Sequence, residues 1–209
     1  MQPRQSGRPK DLKKRQTILQ VAKDLFLELG YDGSSMDMIA QQAGVSKLTV
    51  YNHFKDKAQL FGAAIEMVCE QRLPKQYYHL EPKSDIQDVL QVLGEAFLAM
   101  VYSEEAVKLT HLMSSMVPIN LELVHLFYNA GPERTRHNLY ELFDKIKALD
   151  LLNITTSKAA ADLFISLLTD CEYDRVIWKL SPAPDALQIK QIVAEKLVLF
   201  FKLYPKKHP

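Results

Sequence analysis

SSMDMIAQQAGVSKLTVYNHFKDKAQL, residues 34–60, is the stretch whose reading decides the fold. Two short helices joined by a tight turn need three things: a small residue where they approach, a glycine able to turn left-handed, and apolar residues facing inward on both sides. Ala40, Gly44 and Val50 take those roles at spacings of four and six, and Ile39, Ala43, Val45 and Phe54 complete a small core. Ser35, or Ser34 with Asp37 three residues on, reads as the N-cap of a helix over Met36 to Gln42, and Ser46 as the N-cap of a second over Lys47 to Phe54. The pattern predicts a helix-turn-helix.

Upstream, Ile18, Val21, Ala22, Leu25, Phe26 and Leu29 follow a helical period, which predicts a helix over 12–29 with Gly30 as its C-terminal cap. Downstream, a fourth helix opens at Asp56 and ends before Pro74. Glycine and proline are sparse beyond it, and no sustained period-two alternation occurs, so the remaining spans suit helices rather than strands. Helices are expected over 85–102, 104–116, 119–129, 134–149, 157–180 and 186–203. The expected architecture is all-α, with a helix-turn-helix domain and basic arm over 1–55, a connecting helix over 56–73 and a larger helical body over 74–209.

A chain of 209 residues with 47% hydrophobic and 24% charged residues buries a sizeable core and lies outside the compositional range of disordered chains. Its formal net charge of +1 conceals an asymmetry, since residues 1–60 carry ten lysines and arginines against six acids and the rest is mildly acidic. One end is therefore suited to a polyanion. Cys69 and Cys171 match no paired spacing, which points to a reducing compartment. No apolar run reaches the ~18 residues of a membrane span and the first residues lack a signal-peptide core, so a cytoplasmic protein is expected. No phosphate loop, dinucleotide fingerprint, nucleophile elbow or HExxH pattern occurs, and His111, His125 and His137 lack the spacing of a metal site. No catalytic residue, metal or cofactor is expected.

The segment LFLELGYDGSSM, followed by IAQQAGVSKLTVYNHFKDKAQL with its Tyr-x-His-Phe element and the Lys-x-x-Leu opening of the next helix, resembles the TetR family of bacterial transcriptional regulators over about residues 12–62. LFYNAGPERTRHNLYELF resembles the AefR-like and AcrR-like C-terminal type. The resemblance implies a homodimer that binds a palindromic operator in double-stranded DNA, most often as a repressor, and is released by a small hydrophobic effector held in the C-terminal body. A ligand-independent structural DNA-binding protein is the alternative, and a helical enzyme a third reading that lacks a catalytic constellation.

The expected DNA-binding set is Ser35, Ser46, Lys47, Leu48, Thr49, Tyr51, Asn52, His53 and Lys57, with Arg8 and Lys10 in the arm. Lys47 opens the second helix, where it can donate to guanine O6 or N7, and Leu48 and the Thr49 methyl can touch a thymine methyl. Tyr51 and His53 match family positions that contact phosphate, although either also suits a structural role. Lys57 would add a cation at a helix N-terminus facing phosphate. Arg4, Arg8, Lys10, Lys13 and Lys14 would track phosphates or enter a minor groove, or form a solvated tail.

Two late helices are apolar over more than one stripe, so they need cover beyond their own core. The expected dimer face carries Leu163 and Leu167 with Ile189, Val193, Leu197 and Phe201. Candidate pocket residues in a family-like body are Phe97, Met100, Leu112 and Met116, with Phe127, Phe164, Leu168 and Trp178. Plain core packing is the alternative for each.

Overall fold

Helix formation follows the caps. In the computed structural model, which describes residues 8–81 and 83–207 with side chains from residue 11 onward, α1 spans Arg8–Gly33, α2 Met36–Gln42, α3 Lys47–His53 and α4 Lys57–Arg72. Then follow α5 Ile86–Val101, α6 Glu104–Met116, α7 Leu121–Tyr128, α8 Arg134–Ala148, α9 Ser157–Leu168, α10 Cys171–Ile177 and α11 Ala186–Leu203. No strand occurs among the described residues; Leu152 and Lys206 form an isolated bridge. The architecture is all-α.

Three helix boundaries differ from the sequence expectation, each for a local reason. Gly30 does not end α1: it adopts φ 75°, ψ 174°, and helical structure resumes after this kink to Gly33. Pro132 does not separate α7 from α8, because the five residues Asn129–Glu133 form a π-helical segment that carries the proline. Conversely, the helix expected over 157–180 breaks at Thr169, since the Asp170 carboxylate accepts the Glu172 N–H at 3.0 Å and starts α10 afresh.

The chain forms two compact units. Unit 1 comprises residues 1–68 and 112–131, and unit 2 comprises residues 69–111 and 132–209. This differs from the sequence partition, because α7 and the last turn of α6 pack with the N-terminal helices: a Cβ on Gly30 would lie 4.0 Å from Leu112 Cδ1.

In unit 1, Ile18, Ala22 and Phe26 of α1, Ile39 of α2, Val50 of α3 and Phe61 of α4 are buried together with Phe54. The Phe26 and Phe61 rings meet edge-on at 5.2 Å, and Tyr31 adds a third ring 5.5 Å from Phe61.

In unit 2 the core is built from α5, α8, α9 and α11. Phe143, Phe164 and Phe200 lie within 6.0 Å of one another. Asp170, besides capping α10, pairs with Lys196 of α11. Burial raises its carboxyl pKa while the Lys196 bond and the Glu172 amide lower it, and the net position is below the ordinary value. Its stabilising contribution is therefore present at neutral pH and is lost as acid protonates the folded-state carboxyl.

Gly94 lets α5 and α11 approach closely, since an added Cβ would lie 2.7 Å from Val193 Cγ1. Gly94→Ala is expected to destabilise the protein by about 1–3 kcal/mol through overpacking. Urea denaturation followed by circular dichroism measures this, and an unchanged midpoint would contradict the close crossing.

Candidate nucleic-acid interface

Ser35 and Ser46 position the two short helices. Ser35 Oγ accepts the Met38 N–H at 3.2 Å, and Ser46 Oγ accepts the Thr49 N–H at 3.1 Å. Ser34 takes a different role: it is buried and donates its hydroxyl to the Tyr31 carbonyl at 2.8 Å. Between the helices Gly44 sits at φ 65°, the left-handed geometry that makes glycine the low-strain residue there.

With Val50 turned fully into the core, the helical period places Leu48 and Asn52 on the opposite side of α3 and Tyr51 on its flank, while Lys47 is exposed as the first residue of the helix. Leu48 is 69% exposed and Tyr51 50%. A leucine so exposed on a seven-residue helix gains nothing from the protein's own core. Thr49 is half-buried, and its Oγ1 lies 2.9 Å from Ser46 Oγ, so its hydroxyl is engaged in the cap. Lys47 forms an ion pair with Asp37 of α2, with both side chains more than half exposed.

Two expected contacts are differently engaged. His53 is 11% exposed, with Nε2 buried 3.0 Å from Asp11 Oδ1 but not aligned for a hydrogen bond. Together with Arg15, whose guanidinium lies 5.2 Å from the Phe54 ring centroid, it sits where α1 meets the end of α3. Lys57 Nζ donates to the Tyr31 carbonyl at 2.9 Å and the Ser34 carbonyl at 3.1 Å, and lies 4.2 Å from the Tyr31 ring centroid. Its ammonium closes the kinked end of α1 onto α4, a role not legible from its position at a helix start. The Tyr31 phenol is raised first by burial, then by Asp56, Asp32 and Glu122. Arg8 and Lys10 belong to α1 by backbone, and their side chains lie outside the described residues; Arg4 lies wholly outside them.

The residues expected around a pocket are distributed over both units. Phe97, Met100, Phe164 and Leu168 are buried in the unit 2 core, and Leu112, Met116 and Phe127 are half-buried in unit 1. Trp178 is 68% exposed at the end of α10, so it lines no interior. Two surface clefts of unit 2, of about 580 and 430 Å³, are lined by other residues. The expected dimer face also changes: Ile189, Val193 and Leu197 are buried in their own unit's core, because α11 crosses α5 on that side. Leu163, Leu167 and Phe201 are half-buried, and the outward apolar residues of α11 are Leu187, Val198, Leu199 and Leu203.

Among the described residues no His, Cys, Asp and Glu cluster could hold a metal ion, and no helix is long and apolar enough to cross a membrane.

Comparison with known proteins adds relatives to this geometry. YdeS of Bacillus subtilis strain 168, an HTH-type transcriptional regulator, is 36% identical over 84 residues, 40% of each chain. The chain spans about two fifths of the length of the curated relatives it matches in this way. Likeness to solved structures runs further. A Mesorhizobium loti MAFF303099 protein assigned to the TetR-family transcriptional regulators superposes with a TM-score of 0.74 at 27% identity, covering 93% of this chain and 98% of that one. The flavonoid-responsive regulator FrrA does so at 0.71 and 27%, covering 94% and 99%. Residues 18–64, which hold the capped pair of helices, match the bacterial regulatory proteins of the tetR family, and residues 88–206 match the C-terminal domain of AefR-like transcriptional repressors. With an outward-facing α3 and a helical body both accounted for by these matches, the chain belongs to the TetR family of transcriptional regulators.

Proposed function

We propose that this regulator is a homodimeric repressor that reads a palindromic operator with α3 and leaves it when a small, largely apolar effector binds. The observation that carries the reading is the division of α3: Val50 anchors it, while Lys47, Leu48, Tyr51 and Asn52 are exposed. A helix of this kind enters the major groove with its N-terminal residues at the base edges. Lys47 and Leu48 supply a donor and an apolar contact there. Tyr51 and Asn52, a turn further on, reach phosphate or a base, and Arg8 and Lys10 add phosphate contacts from the start of α1. Thr49 presents only its methyl group, and Ser35 and Ser46 act by holding the helices.

Dimerisation is supported by the stripe Leu187, Ala194 and Val198, spaced seven and four along one face of α11 and flanked by Leu199 and Leu203. Leu163 and Leu167 would extend it if the partner covers α9. The two recognition helices must then sit about 34 Å apart, or a multiple of that. Effector control is supported by FrrA, a flavonoid-responsive regulator of similar fold. The ring cluster filling the unit 2 core favours the second reading, an architectural DNA-binding protein without an effector.

Site selection from random duplexes tests the first reading. Parent protein is expected to enrich an inverted repeat, and Lys47→Ala to lose preference at specific positions at a cost of about 1–3 kcal/mol. An identical consensus for parent and Lys47→Ala would remove the base-reading role.

A further inference from the structure

The larger cleft of unit 2 has a volume of about 580 Å³, within the range of roughly 300–1,000 Å³ typical of small-molecule sites. Its walls include Val107 of α6, Val176 of α10 and Leu180 of the connection to α11, and Leu180 is 70% exposed although apolar.

The charges at its rim are unequal. Lys108 donates to one oxygen of Glu104 at 2.7 Å, and Lys179 acts on the same carboxylate only through its charge, at longer range. The Lys179 side chain forms no hydrogen bond or ion pair among the described residues, so the rim, with Lys108, Lys179 and Glu104, keeps a net positive charge beside an apolar wall. His111 does not compete for an anion through Nε2, which lies 2.5 Å from the Ile177 carbonyl and must donate to it. Tyr102 also lines the cleft; burial, then Asp170, Tyr173 and Glu172, push its pKa up to about 12, which leaves a neutral phenol.

Lys179 is held in place by the backbone. It sits at φ 56°, while its N–H donates to the Val176 carbonyl at 3.0 Å and the next N–H, of Leu180, donates to the Arg175 carbonyl at 2.8 Å. This pair of bonds is the helix-ending arrangement in which glycine is the usual left-handed residue. A lysine there keeps a strained conformation that glycine would avoid, at a position that lines the cleft.

We propose that this cleft binds an amphipathic monoanion, a carboxylate carried on an apolar ring or chain, with Lys179 taking the charge and Val107, Val176 and Leu180 covering the body. This names the effector class of the regulator described above, and it rests on that reading only for its effect on DNA. α6 carries the cleft residues Glu104, Val107, Lys108 and His111, and its Leu112 lies against Gly30 at the kink of α1.

The test titrates the full chain with 2-naphthoate and with decanoate, by calorimetry and by the fluorescence of Trp178, the chain's one tryptophan and the neighbour of Lys179. Saturable binding of at least one of them is expected, with the corresponding uncharged amide bound at least tenfold more weakly. Lys179→Gly, which suits the left-handed turn and so keeps the fold, is expected to lose at least tenfold in carboxylate affinity while binding the amide like the parent. Absence of saturable binding of both carboxylates to millimolar concentration, equal binding of acid and amide, or an unchanged affinity in Lys179→Gly overturns the proposal. Operator affinity measured with and without the bound carboxylate separates the two readings. Binding without operator release leaves the cleft assigned and counts against effector control by it; operator release by another molecule, with neither carboxylate bound, does the reverse.

Discussion

Phe61→Ala is expected to destabilise unit 1 by about 3–5 kcal/mol, the range for truncating a fully buried aromatic ring. Phe61 has no exposed surface, and its ring meets Phe26 edge-on at 5.2 Å and Tyr31 at 5.5 Å, so the loss removes the contact that joins α4 to both sides of the α1 kink. The cavity left behind is walled by helices that also hold α2 and α3, and it can close only by moving them. Hydrogen exchange of the α1 and α4 amides, together with urea denaturation, measures the effect. Phe61→Leu, which keeps most of the volume, should cost markedly less. A loss below 1 kcal/mol in the alanine variant would mean that the three rings are not the centre of this unit.

Lys57→Met should cost about 1.5–3 kcal/mol while leaving the salt dependence of DNA binding unchanged. The lost bonds run from a charged donor to the Tyr31 and Ser34 carbonyls, and such bonds are worth more than neutral ones. The methionine would also leave the Tyr31 ring without the cation beside it. Were Lys57 a phosphate ligand, its removal would lower the log-log salt slope by about 0.9. The two roles are thus separated by two measurements on one variant: a stability loss with constant slope supports the clamp, and a reduced slope with unchanged stability supports phosphate binding.

Much of the recognition unit was legible from residues 34–60, because a helix-turn-helix is specified by local chemistry. Caps, a turn glycine and inward apolar residues all act within a few positions of one another, and Ser35, Gly44, Ser46 and Val50 do what their residue types dictate. The outward positions of Leu48 and Asn52 follow from the helical period once Val50 is placed inward, and Lys47 is exposed because it opens the helix. The family resemblance, too, rests on this short span and on the C-terminal segment.

What depends on distant partners was not legible. Lys57 reads as a surface cation until the α1 kink brings two carbonyls under its ammonium, 23 and 26 residues away in sequence. The period of α11 shows two apolar stripes but not which faces inward; the choice was made by Gly94 on α5, whose missing side chain admits Val193 and so turns Leu187 and Val198 outward. The cleft beside α6 required α6, α10 and the following connection to meet, and its lysine acquires meaning only from that meeting. Sequence by itself determined the two short helices of residues 36–53, their serine caps and the exposure of Leu48 and Asn52, since those are set by neighbours along the chain. Tertiary structure alone decided the partner of Lys57, the outward face of α11 and the cleft at Lys179, since each depends on which non-local surfaces desolvate one another.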